Sequence, residues 1–261
     1  MKTVSFSSAN GPLAACDEVS APPEQVLEVI SILQDAGITC CMVQIFALIY
    51  YGAPRVSDDR VLCVSDQDHQ RAVELFKSRA GVLEACDPSP HCAPTSLNHH
   101  YPRFRSRGFM EFWLLVPESY CHIECSPENI EWSLGGLPYP KLHVLVQAAI
   151  DTKEGVELED LIDGMNLTEE WGEENLYLDS TTDTQWLENR YKALREDYRE
   201  RGLDEILIFL DPTPTPRQEI WQHSVQNKKK RLGWKRSPEK YATQYRKHGS
   251  PDPRTRNRPG L

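Results

Sequence analysis

Three groups of residues have types and spacings that could do chemistry. In His122-Ile123-Glu124-Cys125 a histidine and a glutamate lie two apart, so on a strand both point the same way. Such a pair can serve a zinc-activated water, but the Pro-Cys-x-x-Cys that would complete the site does not follow. Cys86, His91, Cys92, His99 and His100 supply thiolate and imidazole ligands within one segment. Their spacings fit no zinc pattern and prolines interrupt them, so they read as loop residues without metal. Lys228-Lys229-Lys230-Arg231, with Trp234, Tyr241 and Tyr245 among further basic residues, has the make-up of a nuclear-import signal or a nucleic-acid-binding arm. The competing reading is a solvated tail lying back on an acidic body. No phosphate-binding Gly-x-x-x-x-Gly-Lys-Ser/Thr, no Gly-x-Gly-x-x-Gly and no Gly-x-Ser-x-Gly is present.

The elements that must position these groups begin after a loose leader, residues 1–20. Pro22 and Pro23 start a helix with Val26, Ile30 and Leu33 on one stripe and Gly37 at its end. Residues 38–43 then read as a strand, 45–51 as a short buried helix closed by Gly52-Ala53-Pro54, 60–64 as a strand and 67–79 as a helix. Proline, serine, histidine and arginine dominate 85–107, which is expected to be a long exposed loop. Two strands, 109–116 and 120–125, are expected to form a hairpin turning at Pro117-Glu118-Ser119. Helices follow at 142–150 and 156–162. Thr182-Asp183-Thr184-Gln185 has the form of a capping box opening a helix with Leu187, Tyr191, Leu194 and Tyr198 on its inner stripe. After Leu210 a Pro-Thr linker leads into the basic tail.

The run from Ala47 to Leu62 resembles the signature of the minimal nucleotidyltransferases. In that superfamily a glycine pair opens a helix bearing Ala-Leu, and Arg-x-Thr-x-Asp-x-Asp runs into the next strand. Ala47, Leu48, Gly52, Arg55 and Ser57 agree with the pattern, and Asp59 takes the place of the first metal-binding carboxylate. The second carboxylate falls on Val61, and the glycine pair on Gln44-Ile45. A working member holds two Mg²⁺ between such carboxylates and a third from a neighbouring strand, for which Glu111 and Glu124 are the candidates. The resemblance therefore implies catalytic Asp59 with Glu124 or Glu111, Asp59 as metal ligand, and Gln44, Arg55 and Ser57 at the nucleotide. Pro138-Tyr139-Pro140, Leu161 to Met165 and Glu169 to Gly172 also look like a set of fungal proteins with the same degraded core and no known activity.

Composition bounds the answer. The chain has 261 residues, 39% hydrophobic and 26% charged, which is ordinary globular usage. Its net charge of −10 divides unevenly, because 217–261 is strongly basic and the remainder correspondingly acidic. The eight cysteines mostly lie among apolar residues, and the first nineteen residues lack the apolar core of a secretory signal. Reduced thiols in cytoplasm or nucleus, and no membrane span, are expected.

The expected fold is α/β, a small mixed sheet with helices on one side. Its segments are a leader (1–20), a nucleotidyltransferase-like core (21–165), a helical extension (166–210) and a linker with a disordered basic tail (211–261). Three functions compete: a catalytically degenerate nucleotidyltransferase with a binding or scaffold role, an active Mg²⁺-dependent enzyme moving a nucleoside monophosphate to a small molecule, protein or RNA, and a nuclear factor that binds nucleic acid through 217–261. The implied partners are a nucleotide or nucleic acid.

Overall fold

The computed structural model describes residues 23–56, 59–89, 96–205, 208, 210–231 and 251–256, with only the backbone for 229–231. The chain runs α1 (Pro23–Asp35), β1 (Cys40–Val43), α2 (Ile45–Tyr50), β2 (Asp59–Val64), α3 (His69–Ser78), β3 (Leu83–Cys86), β4 (Arg103–Ser106), β5 (Phe112–Pro117) and α4 (Glu118–Cys121). It continues with β6 (Ile130–Trp132), β7 (Pro138–Pro140), α5 (Leu142–Asp151), α6 (Gly155–Met165), α7 (Glu169–Asn175), α8 (Thr184–Glu200) and α9 (Arg217–Arg231). The architecture is mixed α/β. Five strands form a sheet in the order β1-β2-β5-β4-β3, in which only the β2–β5 pair is parallel; β6 and β7 make a separate two-stranded ribbon.

Strand alternation sorts the core. Leu62 and Val64 of β2 point into the larger cluster with α1, α2, α3, α5 and α6. Val61 and Cys63 point to the other face, where Cys41, Val43, Leu114, Val116, Ile123 and Cys125 form a smaller one. Gly37 takes φ +70° where α1 ends, a left-handed conformation that costs glycine little.

Several expectations need correction. The segment 120–125 is no strand and makes no hairpin. Strand β5 runs on through Pro117, the chain turns into α4, and His122 adopts left-handed geometry at φ 54°, so Glu124 lies in irregular chain. The expected loop 85–107 contributes two strands: Arg103, Phe104 and Arg105 of β4 pair with β5, and β3 closes the edge. The capping box is replaced by a simpler cap, in which Asp183 Oδ1 accepts from the Trp186 amide at 2.9 Å.

Residues 217–231, expected to begin a disordered tail, form a packed helix. Its Trp221 is 1% exposed and lies against Gly172, with the indole where a Cβ on that glycine would stand. Arg217 Nε donates to buried Asp151 at 2.5 Å. Lys228 Nζ donates to Asn166 Oδ1 and to the Leu167 carbonyl. Among the described residues no helix is long and apolar enough to cross a membrane.

Candidate functional site

A cavity of about 350 Å³ opens on the face of the sheet that carries Asp59 and Val61, within the usual size range of small-molecule sites. Its floor comes from β2, β5 and β4, one wall from the turn at Gln44 and the 96–99 segment, and the opposite wall from α5, α6 and α8. Glu154, Glu157, Trp186 and Arg190 belong to that second wall.

The register decides what faces the cavity. On β2, Asp59 and Val61 share one side, while Arg60 turns to the other, its guanidinium 4.4 Å from the Phe46 ring. On β5, Phe112 lies beside Asp59 and Leu114 beside Val61. Arg103 of β4 lies beside Leu114. Its guanidinium stacks 3.6 Å over Phe112 and donates from Nε (3.0 Å) and Nη2 (2.7 Å) to a single oxygen, Oδ1 of Asp59. Three adjacent strands thus present one anion and one cation, bonded to each other and flanked by apolar side chains.

The residues implied by the resemblance scatter. Glu111 is buried with its charge beside Arg60, on the side of the sheet away from Asp59. Glu124 accepts from Asn129 Nδ2 at 3.3 Å in the loop before β6 and does not line the cavity. Arg55 donates to buried Asp160 on α6 at 2.7 Å, tying the β2 approach to that helix. Ser57 lies outside the described residues. Gln44 and Asp59 do line the cavity. Of the basic run, Lys228 caps the end of α6, and the side chains of Lys229, Lys230 and Arg231 lie outside the described residues.

A Mg²⁺ pair does not fit this floor. Two-metal sites need bridging carboxylates, whereas Asp59 shares its oxygen with a guanidinium and its neighbours are Val61, Leu114 and Phe112. Among the described residues, three-ligand groupings occur at Cys41, Cys63 and Cys125 and at His99, His100 and Asp197; Asp59 belongs to neither.

Gln44 stands at the start of α2 with φ 54° and ψ −134°, a conformation that glycine adopts freely and other residues adopt at a cost of ~1–3 kcal/mol. Its side-chain amide exchanges two hydrogen bonds with Asn98, at 3.2 and 3.0 Å. Asn98 Oδ1 also accepts from Tyr120 Oη at 2.8 Å. The backbone has a glycine's shape while the side chain ties the turn to the 96–99 segment of the same wall.

Sequence reasoning missed the opposite wall. Burial, helped by the nearby Glu154 and Asp160 charges and opposed by Arg55, pushes the Glu157 carboxyl up to about 8. Burial also raises Glu154, with Arg190 opposing. The Arg190 guanidinium lies 4.5 Å from the Tyr120 ring and 5.9 Å from that of Trp186. The only sequence signal was the spacing of Glu154 and Glu157, one turn apart across Gly155. Below this wall, Asp197 of α8 accepts from His99 (2.5 Å) and His100 (3.0 Å) and pairs with Arg201 at 3.0 Å. These hydrogen bonds outweigh the cost of burial and keep its carboxyl low.

No family model and no curated protein matches the chain. Among solved structures it is similar to the antibiotic-resistance factor ANT(2'')-Ia at 10% identity and a TM-score of 0.32, over 69% of this chain and 92% of that one. It is also similar to two Helicobacter pylori proteins. One, described as a nucleotidyltransferase, has 12% identity and a TM-score of 0.35, over 80% of this chain and 95% of its own. The other, JHP933, has 13% identity and a TM-score of 0.32, over 80% and 96%. Likenesses of this size assign no residue a role and the chain no activity.

Proposed function

We propose that this chain is a nucleotidyltransferase-like protein that has exchanged two-metal catalysis for binding, with the cavity over Asp59 as its ligand site. The observation carrying this reading is the Arg103–Asp59 pair. The one carboxylate that matches the family pattern accepts two N–H groups on Oδ1, and Val61 and Leu114 stand on the cavity face beside it. A guanidinium in that place neutralises the carboxylate as a metal would, but it has no open coordination position and cannot lower the pKa of a bound hydroxyl.

The cavity still suits a ligand with a flat ring and hydrogen-bonding edges. Trp186 and Tyr120 supply aromatic lining, Gln44 and Asn98 supply amides, and Glu157, protonated around neutral pH, offers a hydroxyl donor from the far wall. A nucleoside or nucleotide meets that description. Calorimetry of the full chain with each nucleoside triphosphate and its nucleoside, with and without Mg²⁺, tests the reading. Heat that is independent of Mg²⁺ and lost in Trp186→Ala is expected; binding that requires Mg²⁺ and disappears in Asp59→Asn would restore the enzyme reading. The packed Lys228 and Trp221 count against a free nucleic-acid arm beginning at residue 217.

A further inference from the structure

On the face of the sheet that carries the cavity, farther along β1 and β2, lies a group of thiols. Cys41 of β1 and Cys63 of β2 are cross-strand partners on one face of the sheet, and Cys125, in the chain after α4, folds back onto them. The three sulfurs all lie within 4.8 Å of one another, and each residue is buried. Cys41 Sγ and Cys125 Sγ are 3.9 Å apart. A fourth thiol, Cys121 at the end of α4, lies near Cys63 and lines the cavity.

Sulfur gathered from three separate segments is the arrangement of a thiophilic cation site. Tetrahedral zinc with Zn–S bonds of ~2.3 Å places its sulfurs ~3.8 Å apart, so the Cys41, Cys63 and Cys125 sulfurs need to draw together by about 1 Å at most, and Cys121 has to swing in to complete the set. The left-handed turn at His122 lets residues 121 and 125 both reach the sheet.

We infer that Cys41, Cys63, Cys121 and Cys125 form a structural zinc site that fastens the segment after α4 to the sheet beside the ligand cavity. The Zn²⁺ is bound by four sulfurs, each thiol that is still protonated gives its proton to solvent, and no redox step occurs. Access is from the cavity past Cys121. Because the ligands come from β1, β2 and the 121–125 segment, zinc binding adds to folding stability.

The full chain, purified under reducing conditions and dialysed against Zn²⁺, tests this by elemental analysis. About one zinc per chain is expected, falling below about 0.1 in Cys125→Ser and unchanged in Cys86→Ser, which alters a thiol outside the group. Cobalt in place of zinc should give sulfur-to-metal charge-transfer absorption. Should Cys125→Ser not fold, alkylation of the wild-type protein decides: the four thiols are protected until a chelator is added. Less than about 0.1 zinc in the wild type, chelator-independent alkylation, or zinc lost on His99→Ala but kept in Cys125→Ser would overturn the assignment. The last result would place the metal at His99, His100 and Asp197 instead.

Discussion

Gln44 gives the sharpest test of how this cavity was built. Its backbone sits at φ 54° and ψ −134°, where a Cβ costs ~1–3 kcal/mol, and its side chain makes two hydrogen bonds to Asn98, each worth ~1 kcal/mol net. Gln44→Ala removes the hydrogen bonds but keeps the Cβ, so a loss of ~1–2 kcal/mol is expected. Gln44→Gly removes the same bonds, relieves the backbone, and gives back ~0.5–1 kcal/mol through glycine's freedom in the unfolded chain. The glycine variant should therefore be the more stable of the two by ~1 kcal/mol, the reverse of the usual order inside a helix. Urea denaturation of both at equal m-value reads this directly, and a melting shift of ~2–4 °C is expected for a chain of this length. A glycine variant equal to or weaker than the alanine variant would show that the strain argument is wrong.

Glu157 makes stability depend on pH. Its folded pKa, about 8, lies above its ordinary value of 4.5, so between these pH values the folded state binds more protons and stability falls as pH rises. The full shift corresponds to ~5 kcal/mol; because Glu157 is part-exposed at the cavity wall, about half of that or less is expected. Melting curves at pH 5.5 and 8.5 should show this loss in the wild type and little of it in Glu157→Gln; equal slopes would refute it. Gly172→Ala should destabilise by ~1–3 kcal/mol or more, since its Cβ would stand 2.0 Å from Trp221 Nε1. A variant that melts with the wild type would show that α9 does not pack there.

The sequence disclosed the fold where apolar period and length agree. Strands β1, β2 and β5 and helices α1, α3 and α5 are such segments. It hid β4, whose Arg-Phe-Arg-Ser alternation follows a proline-rich stretch, because two arginines on a strand read as loop until Asp59 and Phe112 stand opposite them. It hid α9 for a different reason: the helix is mostly polar, and a single tryptophan entering beside Gly172 anchors it. Asp59 and Gln44 could be picked out of the chain because the pattern around them is local. Arg103, Glu154, Glu157 and Arg190 could not, since each matters only through a partner 40 or more residues away or a cavity wall that tertiary packing creates.

In the proposed binding role Asp59 is committed to Arg103 and not to a divalent ion. Electron paramagnetic resonance of Mn²⁺ titrated into the full chain with a nucleoside triphosphate present measures this at the site itself. No Mn²⁺ bound beyond what the nucleotide holds in solution is expected, and the same titration for wild type and Asp59→Asn. A stoichiometric protein-bound Mn²⁺ signal in the wild type that vanishes in Asp59→Asn would contradict it.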